Sequence, residues 1–153
     1  MRINVGDLVP HSGAMCLLDS VESWNEDRIV CRATSHRRPD HPLRDRSGLR
    51  ALCAIEYGAQ AVAAHAGLME ESAGSKAPIG FLAAVRDVVV CAARLDDIEG
   101  PLTIRADVVL RQGTGHIYEL AVTAGEHIIL TGRLSIIVPS ATHQAVSSLA
   151  EDS

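Results

Sequence analysis

Between Ser47 and Leu68 runs a stretch that few folds can accommodate: Gly48-Leu49-Arg50-Ala51-Leu52-Cys53-Ala54-Ile55-Glu56-Tyr57-Gly58-Ala59-Gln60-Ala61-Val62-Ala63-Ala64-His65-Ala66-Gly67-Leu68. Alanine recurs throughout, β-branched residues are few and no proline interrupts, so the stretch reads as one long helix. Ser47 is placed to cap its start and Gly67 to stop its end. The helix is apolar on nearly every face, the pattern of an element enclosed on all sides. Its residues are small, so whatever encloses it must approach closely. Aromatics are only 3% of the chain, and the enclosing layer must therefore also be built from Ala, Val, Ile and Leu.

That layer is supplied by strands on either side. The apolar run 15–24, the turn Asn25-Glu26-Asp27 and the alternating segment from Arg28 to Thr34 read as a hairpin. Beyond the helix, Ile79 to Leu95 is long and apolar. Leu102, Ile104, Ala106, Val108 and Leu110 then alternate with Thr103, Arg105, Asp107 and Arg111, the period of a half-buried strand. Turns at Gln112-Gly113-Thr114-Gly115 and Ala124-Gly125-Glu126-His127 join it to strands from Tyr118 to Thr123 and from Ile128 to Val138, an antiparallel meander. The expected fold is α+β: an antiparallel sheet wrapped around one long central helix, in a single domain of residues 1–140 followed by a flexible tail, 141–153. One such sheet leaves edges uncovered, so pairing with a second copy or a related chain is expected.

No run of about 18 apolar residues exists to span a membrane. The opening Met1-Arg2-Ile3-Asn4-Val5-Gly6-Asp7 lacks the basic-then-apolar order of a signal peptide. Cys16, Cys31, Cys53 and Cys91 are widely spread, which suits reduced, mostly buried thiols in a cytoplasmic protein. The net charge of −5 conceals an island: residues 28–50 hold seven arginines against Asp40 and Asp45, leaving the rest of the chain strongly acidic. Arg37, Arg38, Arg44, Arg46 and Arg50 within it suit the docking of an anionic partner. Nucleic acid is disfavoured, because no aromatics interleave the arginines and the overall acidity repels a long polyanion.

Glu56 is the anomaly. It sits mid-helix among apolar residues, where an ionised carboxylate is costly to bury and a neutral acid, able to donate a proton, is favoured. Gln60, four residues on, shares its side of the helix. Seven histidines and four cysteines show no metal-ligand spacing. No glycine-rich nucleotide loop appears, and Ser47-Gly48 lacks the setting of a nucleophile elbow, so neither metal nor cofactor is expected.

Ile55-Glu56-Tyr57-Gly58-Ala59-Gln60-Ala61 resembles the catalytic helix of the 3-hydroxyacyl-acyl-carrier-protein dehydratases, in which an acid is followed four positions later by Gln. Upstream, Val9-Pro10-His11-Ser12-Gly13-Ala14-Met15-Cys16-Leu17-Leu18-Asp19 is similar to that family's opening segment. Downstream, Ile79-Gly80-Phe81-Leu82-Ala83-Ala84-Val85-Arg86-Asp87 stands where its next strand begins. The resemblance covers roughly residues 8–138 and is nearest to the divergent branch found in aryl-polyene clusters. It implies a hot-dog fold that dimerises, with each active site across the interface. A loop histidine of one subunit would act as base beside the thioester, and the helix carboxylic acid of the other, Glu56, would help the hydroxyl leave.

The matching loop here is Pro39-Asp40-His41-Pro42-Leu43-Arg44 where the family has Gly-His-Phe-Pro-Gly, which makes His41 the implied base and His36 a fallback. Gly48 is the nearest counterpart of the glycine whose amide polarises the thioester carbonyl, and Gln60 joins it in substrate binding. The implied partner is an acyl carrier protein or CoA thioester. Three readings follow: a dehydratase of carrier-bound 3-hydroxyacyl thioesters in fatty-acid or polyene-type biosynthesis, a half-catalytic or non-catalytic subunit of a heteromeric dehydratase, or a hot-dog thioesterase. His11 and His65 are expected to be structural, the latter near the helix end, and His116 and His127 to be solvated in turns.

Overall fold

The computed structural model describes residues 3–4, 15–74 and 81–137. The Pro10-His11 motif and the boundary at 140 lie outside the described residues. Seven strands form one antiparallel sheet: β1 (Ile3–Asn4), β2 (Ser20–Asn25), β3 (Arg28–Ala33), β4 (Phe81–Val90), β5 (Leu102–Gln112), β6 (Gly115–Ala124) and β7 (His127–Ile137). Their spatial order is β1-β2-β3-β5-β6-β7-β4. The helix α1 (Ala54–Ser72) lies on one face, giving the hot-dog arrangement that the resemblance implies.

The expected hairpin forms between β2 and β3, with the Asn25 side chain accepting a hydrogen bond from the Asp27 N–H at 2.8 Å to close the turn. The meander β5-β6-β7 also forms; the alternation expected of β5 holds from Leu102 to Ala106 and is then broken by a bulge between Val108 and Leu110, which leaves Leu110 46% exposed. Leu102, Ile104 and Ala106 are buried against the helix, while Thr103 and Arg105 face out.

β4 follows the helix and takes the far edge of the sheet, beside β7. Two bulges interrupt that pairing, and Asp87 sits in the second at φ 55°, a left-handed conformation that Asp tolerates better than most residues.

The helix differs from expectation at both ends. It opens with a 3-10 turn, Ala51–Cys53, and becomes α-helical at Ala54, without side-chain capping by Ser47. Instead, Ser47 donates its N–H to the Asp45 carboxylate at 2.7 Å, in a tight turn bridged by Asp45 and Gly48. A bridge between Arg50 and Arg94 keeps the chain extended until the helix begins. At the other end, the helix passes through Gly67 to Ser72. Leu68 is buried one residue further on, and its burial, about 1.5–3 kcal/mol, outweighs the roughly 1 kcal/mol cost of an interior glycine.

Ala54, Tyr57, Gly58, Ala61, Ala64, His65 and Leu68 face the core. Close approach is literal at Gly58, where an added Cβ would lie 2.4 Å from a Leu120 methyl carbon on β6. The opposite side of the helix, with Ile55, Glu56, Ala59, Ala63 and Ala66, stays half open, and Leu52 at its start is 55% exposed. Among the described residues this side of the helix is not enclosed. All four cysteines are free, Cys31 buried and Cys91 exposed.

Candidate active site at the start of the helix

Glu56 lies in the first turn of α1, half-buried, beside exposed Leu52. Its carboxylate has no hydrogen bond or ion pair among the described residues. Tyr57, the next residue, turns inward by about 100° and is fully buried. The two therefore serve different surfaces, one open and one closed.

On the closed side, His41 is 4% exposed and lies against Tyr57, with ring centroids 6.1 Å apart. Leu43 N–H donates to His41 Nδ1 at 3.1 Å, so Nε2 carries the ring proton and donates to Tyr57 Oη at 3.0 Å. The Ser35 hydroxyl donates to Leu17 O at 2.7 Å, which leaves Tyr57 Oη–H to donate to Ser35 Oγ, also at 2.7 Å. One placement of protons satisfies all four contacts. Burial, reinforced by Arg38 and Arg44, lowers the His41 pKa, and burial pushes Tyr57 up to about 12. No hydrogen bond or ion pair joins His41 to Glu56 within the chain.

Gln60 is buried and grips the segment preceding β2. Its Oε1 accepts from Leu17 N–H at 2.9 Å, and its amide donates to Met15 O at 2.7 Å. Both peptide groups of Leu17 are thus held by side chains of other elements. Gly48 adopts φ +95°, and its N–H is donated to Asp45 O at 3.0 Å. An added Cβ there would strike Arg94 and Asp96.

Asp96, which sequence reasoning missed, anchors this loop. Its carboxylate accepts from Arg94, from Arg44 at 3.2 Å and from Leu49 N–H at 3.0 Å. The Arg94 guanidinium, followed by the Leu49 N–H, holds it well below the usual carboxylate range despite burial.

The arginine island is partly neutralised in place. Arg38 pairs with Asp40 at 3.4 Å, Arg50 with Asp45 at 3.6 Å and Arg44 with Asp96, while Arg37 donates to Ile98 O at 2.9 Å. Arg46 is exposed and without an ion pair among the described residues.

His36, fully buried, donates Nε2–H to the Ile98 carbonyl at 3.0 Å, and burial lowers its pKa. His65 is not a helix-end residue but a core one. Its Nε2–H donates to Asn25 O at 2.7 Å, and its Nδ1 accepts from Tyr118 Oη at 2.8 Å. His116 lies within β6, half-buried, rather than in a turn. A groove of about 740 Å³ lies on the outer face of the sheet, lined by Arg105, Asp107, Glu119 and Arg133 among others. Those four are paired with charges of their own face.

Among the described residues no group of three or more His, Cys, Asp or Glu is placed to hold a metal ion, and no helix is long and apolar enough to cross a membrane.

Comparison with known proteins gives three results. The profile of a family described as ApeP-like, ApeP dehydratase, matches residues 3–147. No curated protein sequence matches. Among solved structures, a chain of the dehydratase heterocomplex ApeI:P from Xenorhabdus doucetiae is similar with a TM-score of 0.82 and 23% identity, over 95% of this chain and 97% of that one. AziG from S. sahachiroi follows at 0.64 and 16%, over 86% and 97%. A mutant of the thioesterase SAV0944 from Staphylococcus aureus is similar at 0.58 and 13%, over 79% and 93%. At these identities the structures show a shared fold.

Proposed function

The chain belongs to the ApeP-like dehydratase family, and from that premise we propose that it eliminates water from 3-hydroxyacyl thioesters on an acyl carrier protein, in polyene or fatty-acid-type biosynthesis, with Glu56 as its acid. The observation that carries this is Glu56 itself: a carboxyl group with no hydrogen bond or ion pair among the described residues, at the half-open start of the central helix. In the reaction, a base removes the proton from C2 next to the thioester carbonyl. The electron pair forms the C2–C3 double bond, and the C3 hydroxyl takes the Glu56 proton and leaves as water. Return of the C2 proton to Glu56 restores both groups.

The site is completed by a second hot-dog subunit facing the open strip of the helix. The free edge of β4, with Leu82, Val89 and Val90 exposed, supports such pairing, as does the likeness to a dehydratase heterocomplex. A loop histidine from the facing subunit supplies the base. In a homodimer that residue is His41; in a heterodimer it belongs to the other chain. Arg46, with the exposed parts of Arg37, Arg38 and Arg50, offers an acidic carrier and its phosphate-bearing arm a docking face. Arg44 is half-buried and mainly anchors the loop.

The test is turnover of a 3-hydroxyacyl carrier-protein thioester, read both as enoyl product and as free carrier thiol. Enoyl formation that Glu56→Gln removes supports the dehydratase. Thiol release without enoyl product overturns it in favour of the thioesterase that the fold also admits.

A further inference from the structure

We propose that the outer face of the sheet is a docking surface for a second copy of this chain, packed face to face about a two-fold axis that runs along the strands between β6 and β7. This surface lies on the other side of the sheet from α1, and the inference does not rest on the dehydratase reading.

The register of the strands carries the argument. Arg28 stands opposite Asp107, Asp107 opposite Glu119, Glu119 opposite Arg133 and Arg133 opposite Arg86, so one row of charges crosses the sheet from β3 to β4. Residues opposite one another in a ladder share a face. Val85, Tyr118, Leu120 and Leu134 beside the row turn inward to the core, so the row itself points outward. Its signs read plus, minus, minus, plus, plus. Asp107 beside Glu119 and Arg133 beside Arg86 are like charges, an arrangement that costs stability within a single sheet. Within the chain, Arg28 and Arg105 share Asp107, and Arg133 takes Glu119. Arg86 is exposed and has no ion pair among the described residues.

A second copy turned about an axis along the strands meets this row in reverse order. With the axis between β6 and β7, Glu119 comes over Arg133 of the other copy and Asp107 over its Arg86, and the symmetry repeats both contacts. Each member of the two like-charged pairs then faces an opposite charge. An axis between β5 and β6 would instead set Asp107 over Glu119. One lying on β6 or on β7 would set Glu119 or Arg133 over itself.

The rows beside the charges are low. Ala121 and Thr131 flank them on one side, and Ile117 and Ser135 on the other, so two sheets can approach to the roughly 10 Å of face-to-face packing. This floor belongs to the outer groove of about 740 Å³, which gives the Arg86 and Arg133 side chains of the other copy room to enter. The bulge in β5 leaves Leu110 46% exposed in the row next to the charges, where it comes over Ala84 of the other copy and is covered.

The experiment is sedimentation equilibrium of the full chain at about 0.1 M and about 1 M salt, between which the screening length falls from about 10 Å to about 3 Å. A mass that halves at high salt is expected, and the same mass at both overturns the proposal. Two variants give a second arm. Arg86→Glu and Asp107→Lys, each alone, bring like charges together across the two-fold and are expected to weaken association about 10-fold or more. In an equal mixture the introduced carboxylate meets the introduced ammonium, and Asp107 of one chain meets Arg86 of the other. The mixture is therefore expected to regain the mass that neither variant reaches alone. Within one chain the two positions are three strands apart, about 14 Å, too far to compensate each other. A mixture that stays at the mass of its components overturns the proposal, and the salt arm on the unaltered chain decides it should either variant fail to fold.

Discussion

Single side chains near Glu56 mostly hold backbone rather than face solvent. Gln60 was expected beside Glu56 as a substrate contact; it instead satisfies Leu17 N–H and Met15 O. Gln60→Ala leaves the buried Leu17 N–H unpaired and frees the part-buried Met15 O, and unfolding in urea is expected to show a loss of about 1–3 kcal/mol. Buried ionisable residues also set the pH range of stability. Burial lowers the pKa of His36, His41 and His65, so below their ordinary 6.5 the unfolded chain binds protons that the folded one refuses. Burial raises Tyr57 and Tyr118 to about 12, so above the ordinary 10 the unfolded chain releases protons that the folded one keeps. Burial likewise raises the Cys31 thiol from its ordinary 9.0 to about 12, so melting temperature followed by circular dichroism should be level between pH 6.5 and 9 and fall on either side. A rise between pH 6.5 and 5 would contradict the assigned neutral histidines.

At the scale of elements, the helix and the meander were legible because their signals are local. Small residues without proline announced α1, and strict alternation announced β5. The helix start was not legible, because it is set by the Arg50–Arg94 bridge and the Asp45–Gly48 turn, contacts made by folding rather than by composition. Asp96 escaped for the same reason: its partners Leu49 and Arg44 are 47 and 52 residues away. His65 likewise bonds across 40 and 53 residues. Glu56 was legible as an acid on an apolar helix, and the loop histidine was legible only as a residue type, since its tautomer depends on Leu43 and Tyr57. The tight packing of α1 on β6 gives a sharp expectation. Gly58→Ala gains roughly 1 kcal/mol in helix propensity but drives a methyl into Leu120, an overpacking cost of about 1–3 kcal/mol. Chemical denaturation should show a net loss of about 1 kcal/mol, and a more stable variant would mean that β6 yields freely.

For the whole molecule, the decisive feature is incompleteness. Among the described residues no strand pairs with the outer edge of β4, and that edge and the half-open side of α1 both carry apolar residues, an arrangement that a lone chain rarely tolerates. Light scattering should find the chain associated, and a charge at the 55% exposed edge position, Val89→Lys, should shift it toward monomer. On the proposed reading, the same incompleteness would put Glu56 at an interface where a facing subunit supplies the base. The most direct measurement is therefore the rate of enoyl formation from a 3-hydroxyacyl carrier-protein thioester by this chain assembled with its hot-dog partner, wild type beside Glu56→Gln. A fall of about 10²–10⁴-fold in the variant, with the assembly intact, is the expected result. An unchanged rate would contradict the assignment of Glu56 as the acid.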